Sequence, residues 1–181
     1  VGQMMIGLPL STPQKELYTA GELFKMGVTA VRIYPTVVFY QTQLCKMTMD
    51  GLYFPLELED AIFRTAEVID VFDKHNIPTI RVGLCASENL SSNEEVLGGA
   101  NHPAIGELAM NRVFLKRICN ILDKTPDVCN KVLRVSIPRG AKSKVIGQNK
   151  RNLTEIYEKY SPSNIILIEK NELIGYNIEI N

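Results

Sequence analysis

Apolar residues open the chain. Val1, Met4, Met5, Ile6 and Leu8 crowd the stretch before Pro9, with only Gly2, Gln3 and Gly7 between them. Such a run predicts a buried parallel strand. A strand of that kind needs neighbours on both sides, because an open edge leaves a row of unpaired N–H and C=O groups. The pattern therefore predicts that further residues precede Val1 and that the chain is a fragment, or a matured or truncated form, of a longer product. Ser11, Thr12 and Pro13 then supply a hydroxyl cap and a proline for a first helical turn. Leu17, Ala20 and Phe24 recur at helical spacing, and Gly27 fits the stop. Ala30 to Tyr34 reads as a second strand, ended by Pro35, so the first third of the chain is a β-α-β unit of a length that suits parallel pairing.

Residues 36–55 form a long connection with a short helix around Leu44, Met47 and Met49. Leu58, Ile62, Ala66, Ile69 and Phe72 mark one face of a helix over residues 57–75, which Asn76 and Pro78 terminate. A third strand follows at residues 79–84. Residues 86–101 are polar and follow a strand's C-terminal end, where α/β folds place ligands. A helix is predicted over residues 103–122, with Ile105, Leu108, Leu115, Ile118 and Leu122 inward. Strand and helix alternate throughout, which predicts an α/β fold with a parallel sheet.

Beyond a linker at residues 124–130 the character changes. Val132, Leu133, Val135 and Ile137 predict a strand ending at Pro138. Helices are expected at Lys142–Ile146 and Arg151–Tyr160, joined by the turn Gly147-Gln148-Asn149-Lys150. Strands are expected at residues 164–168 and 174–180, the last from the alternation of Ile174, Tyr176, Ile178 and Ile180. Two domains follow: an α/β portion at residues 1–124 and a small α+β module at residues 131–181.

Composition narrows the reading only a little. Hydrophobic residues make up 45% and charged residues 22% of the 181, and the formal net charge is zero. These are ordinary values for a soluble globular protein, and the balance points to neither a nucleic acid nor a membrane as partner. No apolar run reaches the roughly 20 residues of a membrane helix, and no secretory leader is visible. The cysteines Cys45, Cys85, Cys119 and Cys129 are widely spaced and lack C-x-x-C pairs. This argues against zinc or a redox pair and for reduced, mostly buried thiols in a cytoplasmic protein.

Three strings carry a family resemblance. Met5-Ile6-Gly7-Leu8-Pro9, with Ser11-Thr12-Pro13 behind it, resembles the glycine-leucine-proline strand end of radical SAM proteins. Val31 to Val38 is similar to the next strand of the Elongator catalytic subunit and its bacterial relatives, and Thr42, Leu44, Met47, Gly51, Tyr53, Pro55 and Leu56 fit the connection after it. Asn101-His102-Pro103-Ala104 resembles a histidine-proline string of bacterial members. The resemblance spans residues 1–122. It implies the C-terminal half of a partial TIM-like barrel and an iron–sulfur enzyme that cleaves SAM to a deoxyadenosyl radical. In that family three cysteines of a C-x-x-x-C-x-x-C type motif hold a 4Fe–4S cluster. No cysteine here matches that motif, so the resemblance places the cluster on residues before Val1. This chain alone is then expected to hold no cofactor and to be inactive. The missing N-terminal half of the barrel becomes a partner, and the open sheet edges offer a route to a homo-oligomer.

Within this frame the cofactor-binding candidates are Gly7, Leu8, Pro9, Arg32, Tyr34, Pro35 and Arg81. Gly7 lets a planar base approach the backbone, Leu8 and Pro9 offer an apolar face, and Tyr34 and Pro35 end the next strand on the same rim. A tight turn with no ligand explains Gly7-Leu8-Pro9 equally simply. Arg32 and Arg81 are charges inside apolar strands, either lining a cleft for a SAM carboxylate or an anionic substrate or paired with glutamates. Tyr34 is cleft lining or core. His102 is a candidate proton donor, or simply the residue before a proline-initiated helix.

Ser143 to Leu153 resembles the core of a KH domain, in which a glycine loop between two helices clamps a nucleic-acid backbone. Lys150 stands where the second loop glycine would be. Lys142, Lys144, Gly147, Lys150 and Arg151, with Arg139, are the RNA-binding candidates. The Elongator comparison implies a transfer RNA substrate, although no acetyltransferase-like domain follows. The rival reading is a non-catalytic RNA-binding or scaffold module; without RNA, the basic residues are a solvated face.

Overall fold

The first strand, β1 (Gly2–Ile6), feeds helix α1 (Pro13–Lys25) through a turn that contains Gly7. Thr12 caps α1: its extended backbone lets Oγ1 accept from the Lys15 amide at 3.2 Å, and Pro13 follows at the first helical position, where no amide hydrogen is needed. The computed structural model describes residues 1–84 and 95–180, in two units, Val1–Ala109 and Met110–Asn181.

In the first unit β1 pairs in parallel with β2 (Val31–Pro35), and β2 pairs in parallel with β4 (Thr79–Val82). The sheet order is β1-β2-β4. Burial alternates along β1 and β2. Met4, Ile6, Val31 and Ile33 lie beneath α1 and helix α3 (Leu58–Lys74), whose Ala66, Ile69 and Phe72 are buried. Gln3, Met5 and Arg32 are exposed on the opposite face and Tyr34 is half-buried there. The alternation corrects the expectation of a strand buried on both faces. Among the described residues β1 is an edge strand, and helices cover only one side of it. The apolar run hid this because Met5 is apolar and yet 40% exposed.

Between β2 and α3 lie β3 (Val37–Phe39) and α2 (Gln43–Met49), the short helix expected there. The strand β3 went unforeseen. It pairs antiparallel with β5 (Val96–Gly99), which occupies the end of the stretch read as a polar loop. Three-residue strands carry too little periodicity to be read. Residues 85–94, Cys85 among them, lie outside the described residues. Helix α4 (Ile105–Leu122) begins two residues later than predicted.

In the second unit β6 (Val132–Pro138) is central. It pairs in parallel with β7 (Asn164–Lys170) and antiparallel with β8 (Glu179–Ile180). Phe114, Leu115, Ile118 and Leu122 of α4 share a core with Val135, Ile137 and Val145, and with Ile156 of helix α6 (Arg151–Tyr160). Helix α5 (Lys142–Ile146) precedes α6, as read from the sequence. The strand expected over residues 174–180 is mostly absent. The chain turns at Gly175 (φ 60°), and Tyr176, Ile178 and Ile180 pack on the core while only the last two described residues join the ladder. Alternation there reports packing without pairing. The thiols also differ from expectation. Cys45 is buried, Cys119 half-buried and Cys129 exposed, all free, because Cys129 falls in the polar turn before β6.

Glycine is needed at Gly99 for two reasons: its φ is +97°, and a Cβ would sit 2.5 Å from the Thr36 carbonyl oxygen. Gly27 also has positive φ (+74°) but nothing within 4 Å. Gly99→Ala is therefore expected to cost about 2–4 kcal/mol and Gly27→Ala about 1 kcal/mol, read as a clearly larger fall in thermal midpoint for the first. Equal falls would contradict this account of β3–β5.

Candidate functional site: the C-terminal rim of the parallel sheet

Parallel pairing sends every strand end of the sheet to one edge. Met5 is level with Tyr34 and Ile6 with Pro35, while Ile33 is level with Val82. The rim that follows comprises Gly7-Leu8-Pro9, Thr36 and Gly83. Thr36 ties two strand ends together, since its amide and its Oγ1 both donate to the Ile6 carbonyl, at 2.9 and 2.7 Å. Gly83 donates to Ile33 at 2.9 Å. Gly7 and Gly83 both have positive φ, +81° and +79°. Chain reversal at a strand end is what these residues accomplish in common.

The sequence candidates distribute over two surfaces. On the open face Gln3, Arg32 and Arg81 stand in one register row, with Met5 and Tyr34 in the next row towards the rim. Arg32 and Arg81 are both exposed, so neither carries the burial cost that made them notable in the sequence. At the rim Leu8 is 42% exposed and Pro9 half-buried, whereas Pro35 is buried. The space beside Gly7 is not open to a base on every side. A Cβ there would lie 2.6 Å from Leu56 Cδ1, so that flank is filled by protein. An open cleft of about 230 Å³ adjoins the turn, lined by Gly7, Leu8, Leu10, Tyr53, Leu56 and Arg64 among others. It is smaller than the roughly 300–1,000 Å³ of a whole small-molecule site.

Three residues that the sequence reading did not assign to the site hold this turn. Glu16 is 3% exposed, and its Oε1 accepts from the Gly7 amide at 2.7 Å and from Ser11 Oγ at 2.8 Å. Arg64 grips the same carboxylate with Nε to Oε2 at 2.8 Å and Nη2 to Oε1 at 2.5 Å. Tyr53 Oη donates to the Gly7 carbonyl at 2.6 Å. Burial raises the Tyr53 phenol above its ordinary range, with the nearby Arg64 charge opposing, so the phenol keeps its proton and remains a donor. One signal was available. Glu16 stands four residues before Ala20 on the inward stripe of α1, an uncommon place for a lone carboxylate.

His102 acts at the start of α4. Its Nδ1 accepts from the Ala104 amide at 3.1 Å, and its carbonyl accepts from Ile105 at 3.1 Å. Near the second unit's turn, Lys142, Lys150 and Arg151 are exposed, Lys144 is half-buried and Gly147 is buried. Gly147, Asn149 and Lys150 all have positive φ (77°, 53° and 62°). Asn152 packs against Gly147 and donates to the carbonyls of Asn111, Lys144 and Val145 at 2.8, 3.3 and 3.2 Å.

These features define an α/β protein whose candidate site lies on the open face and C-terminal rim of a parallel sheet. Residues 28–116 match the family model of the Radical_SAM C-terminal domain, from just before β2 into α4. The match supports assignment to the C-terminal region of the radical SAM superfamily, and that superfamily implies SAM and a 4Fe–4S cluster in the intact protein. No curated protein matches the chain. Among the described residues no group of three His, Cys, Asp or Glu side chains gathers as a metal site, so these residues do not fit a 4Fe–4S cluster. No described helix is long and apolar enough to cross a membrane.

The cap geometry makes a prediction for His102. Asn keeps a side-chain acceptor and Ala removes it, so His102→Ala is expected to lose about 1 kcal/mol of stability and His102→Asn much less. Thermal midpoints check this; equal falls in the two variants would contradict the cap.

Proposed function

We propose that this chain is the SAM-side part of an iron–sulfur radical SAM enzyme. Its three parallel strands are the later strands of a partial barrel, and their open face is the barrel interior. The observation that carries this reading is the register of β1 on β2, which sets Gly7-Leu8-Pro9 and Tyr34-Pro35 at one rim. Had β1 been a free tail or an antiparallel partner, the reading would have no basis. The family match over residues 28–116 supports it independently, since β1 lies outside that stretch.

In this reading, residues supplied by the rest of the barrel hold the 4Fe–4S cluster. The bound cofactors supply the radical chemistry, and this chain orients the nucleoside and methionine ends of SAM. Leu8 and Pro9 give the adenine an apolar border. The Arg32–Arg81 row lies along the open face, where a guanidinium can receive a carboxylate. The complete gene product, reconstituted with iron and sulfide, is expected to release deoxyadenosine from SAM under reducing conditions. Arg32→Gln is expected to raise the KM for SAM about tenfold with a smaller change in kcat. Absence of both cluster and SAM cleavage would remove the enzyme reading.

RNA, and transfer RNA in particular, is the proposed substrate, with the KH-like second unit as its contact. Lys150 supports this. It stands where a G-x-x-G loop has its second glycine, and it adopts the left-handed backbone (φ 62°) that glycine would take there. The scaffold alternative, an RNA-binding module without catalysis, rests on the same basic residues. RNA affinity of the complete product is expected to fall steeply with salt and to weaken in Lys150→Glu; a flat salt response, unchanged in that variant, would exclude RNA contact through this loop.

A further inference from the structure

The turn after β1 is held more firmly than a simple strand-to-helix reversal requires. Gly7 has one amide and one carbonyl, and distant side chains engage both: Glu16 takes the amide at 2.7 Å, and Tyr53 supplies a hydrogen to the carbonyl at 2.6 Å. These partners come from different elements, α1 and the segment between α2 and α3. Arg64 of α3 then locks Glu16 with two hydrogen bonds while itself only 10% exposed. A reversal alone would be satisfied by water or by a short local turn.

A buried ion pair of this kind is a weak source of net stability. Charges taken out of water lose solvation that their mutual attraction roughly returns, so apolar replacements of similar shape often serve a fold as well or better. Ion-paired, fully bonded groups of this kind fix one backbone geometry among alternatives. Here the geometry fixed is that of the peptides on either side of Gly7. Next to them Leu8 is 42% and Leu10 89% exposed, and Leu10 has φ +61°. Both leucines line the cleft beside Gly7.

We propose that Glu16, Arg64 and Tyr53 are positioning residues that set the Gly7-Leu8-Pro9 rim for the nucleoside of SAM. This deepens, and rests on, the SAM reading given above. None of the three needs to touch the ligand. Glu16 and Tyr53 hold the two polar groups of Gly7, Arg64 holds Glu16, and the rim's apolar border is delivered at a fixed height above the sheet.

Tyr53→Phe is the decisive variant, because it deletes one hydroxyl and leaves the ring to pack. In the complete, cluster-reconstituted gene product, the Kd for SAM is expected to rise about tenfold, the scale of one buried hydrogen bond left unmade. Deoxyadenosine release at saturating SAM is expected to change less than twofold. Glu16→Gln should show the same split, and Arg64→Lys, which keeps the charge but not the paired bonds, a partial one. A brace that serves stability only would lower the thermal midpoint and leave the Kd unmoved. Should Glu16→Gln fail to fold, Tyr53→Phe carries the test alone. Wild-type protein that does not bind SAM overturns the parent reading and this one with it. Wild-type protein that binds SAM, with an unchanged Kd in Tyr53→Phe, overturns the positioning role and leaves the parent reading standing.

Discussion

The bond from the Gly7 amide to the buried Glu16 carboxylate is the constraint on which the site depends. A carboxylate at 3% exposure is tolerable only if its lone pairs are filled, and Gly7, Ser11 and Arg64 fill them. The requirement acts in reverse on the chain. Gly7 must present its amide inward, which calls for the positive φ that glycine allows, and Leu56 then occupies the room where a side chain would have been. The strand end, the first helix, the third helix and the connection between them are thus joined at one residue.

Around that point the parallel sheet performs a simple task. Its helices cover one face, and its strand ends meet at one edge. The open face carries a row of Gln3, Arg32 and Arg81 below a row of Met5 and Tyr34. A mixed polar and apolar face of this composition is unsuited to packing against a plain hydrophobic layer. The second unit has its own sheet and core. Its turn Gly147 to Lys150 packs against the buried Asn152.

Much of the fold was legible from hydrophobic spacing. The helices α1, α3, α5 and α6 and the strands β2, β4, β6 and β7 follow from period and from the glycine and proline punctuation around them. The short pair β3–β5 was not legible: its stability comes from Gly99 passing close to Thr36, a contact distant in sequence. The alternating tail before β8 misled for the opposite reason, since Tyr176 and Ile178 are driven inward without a ladder. At the candidate site the sequence pointed to the residues on the rim and missed those that brace it. Leu8, Pro9 and Tyr34 announce themselves by position at strand ends. Glu16, Tyr53 and Arg64 act across 46 to 48 residues of chain, or across a turn whose geometry no local pattern encodes.

Hydrogen exchange on the complete gene product, with and without SAM, tests the central claim most directly. The account predicts that SAM slows exchange at the turn after β1, around Leu8 and Leu10, and at the end of β2 beside Thr36, with little change along the solvent side of α1 and α3. Protection confined to those helices, or none anywhere in β1 and β2 while SAM is bound, would contradict it.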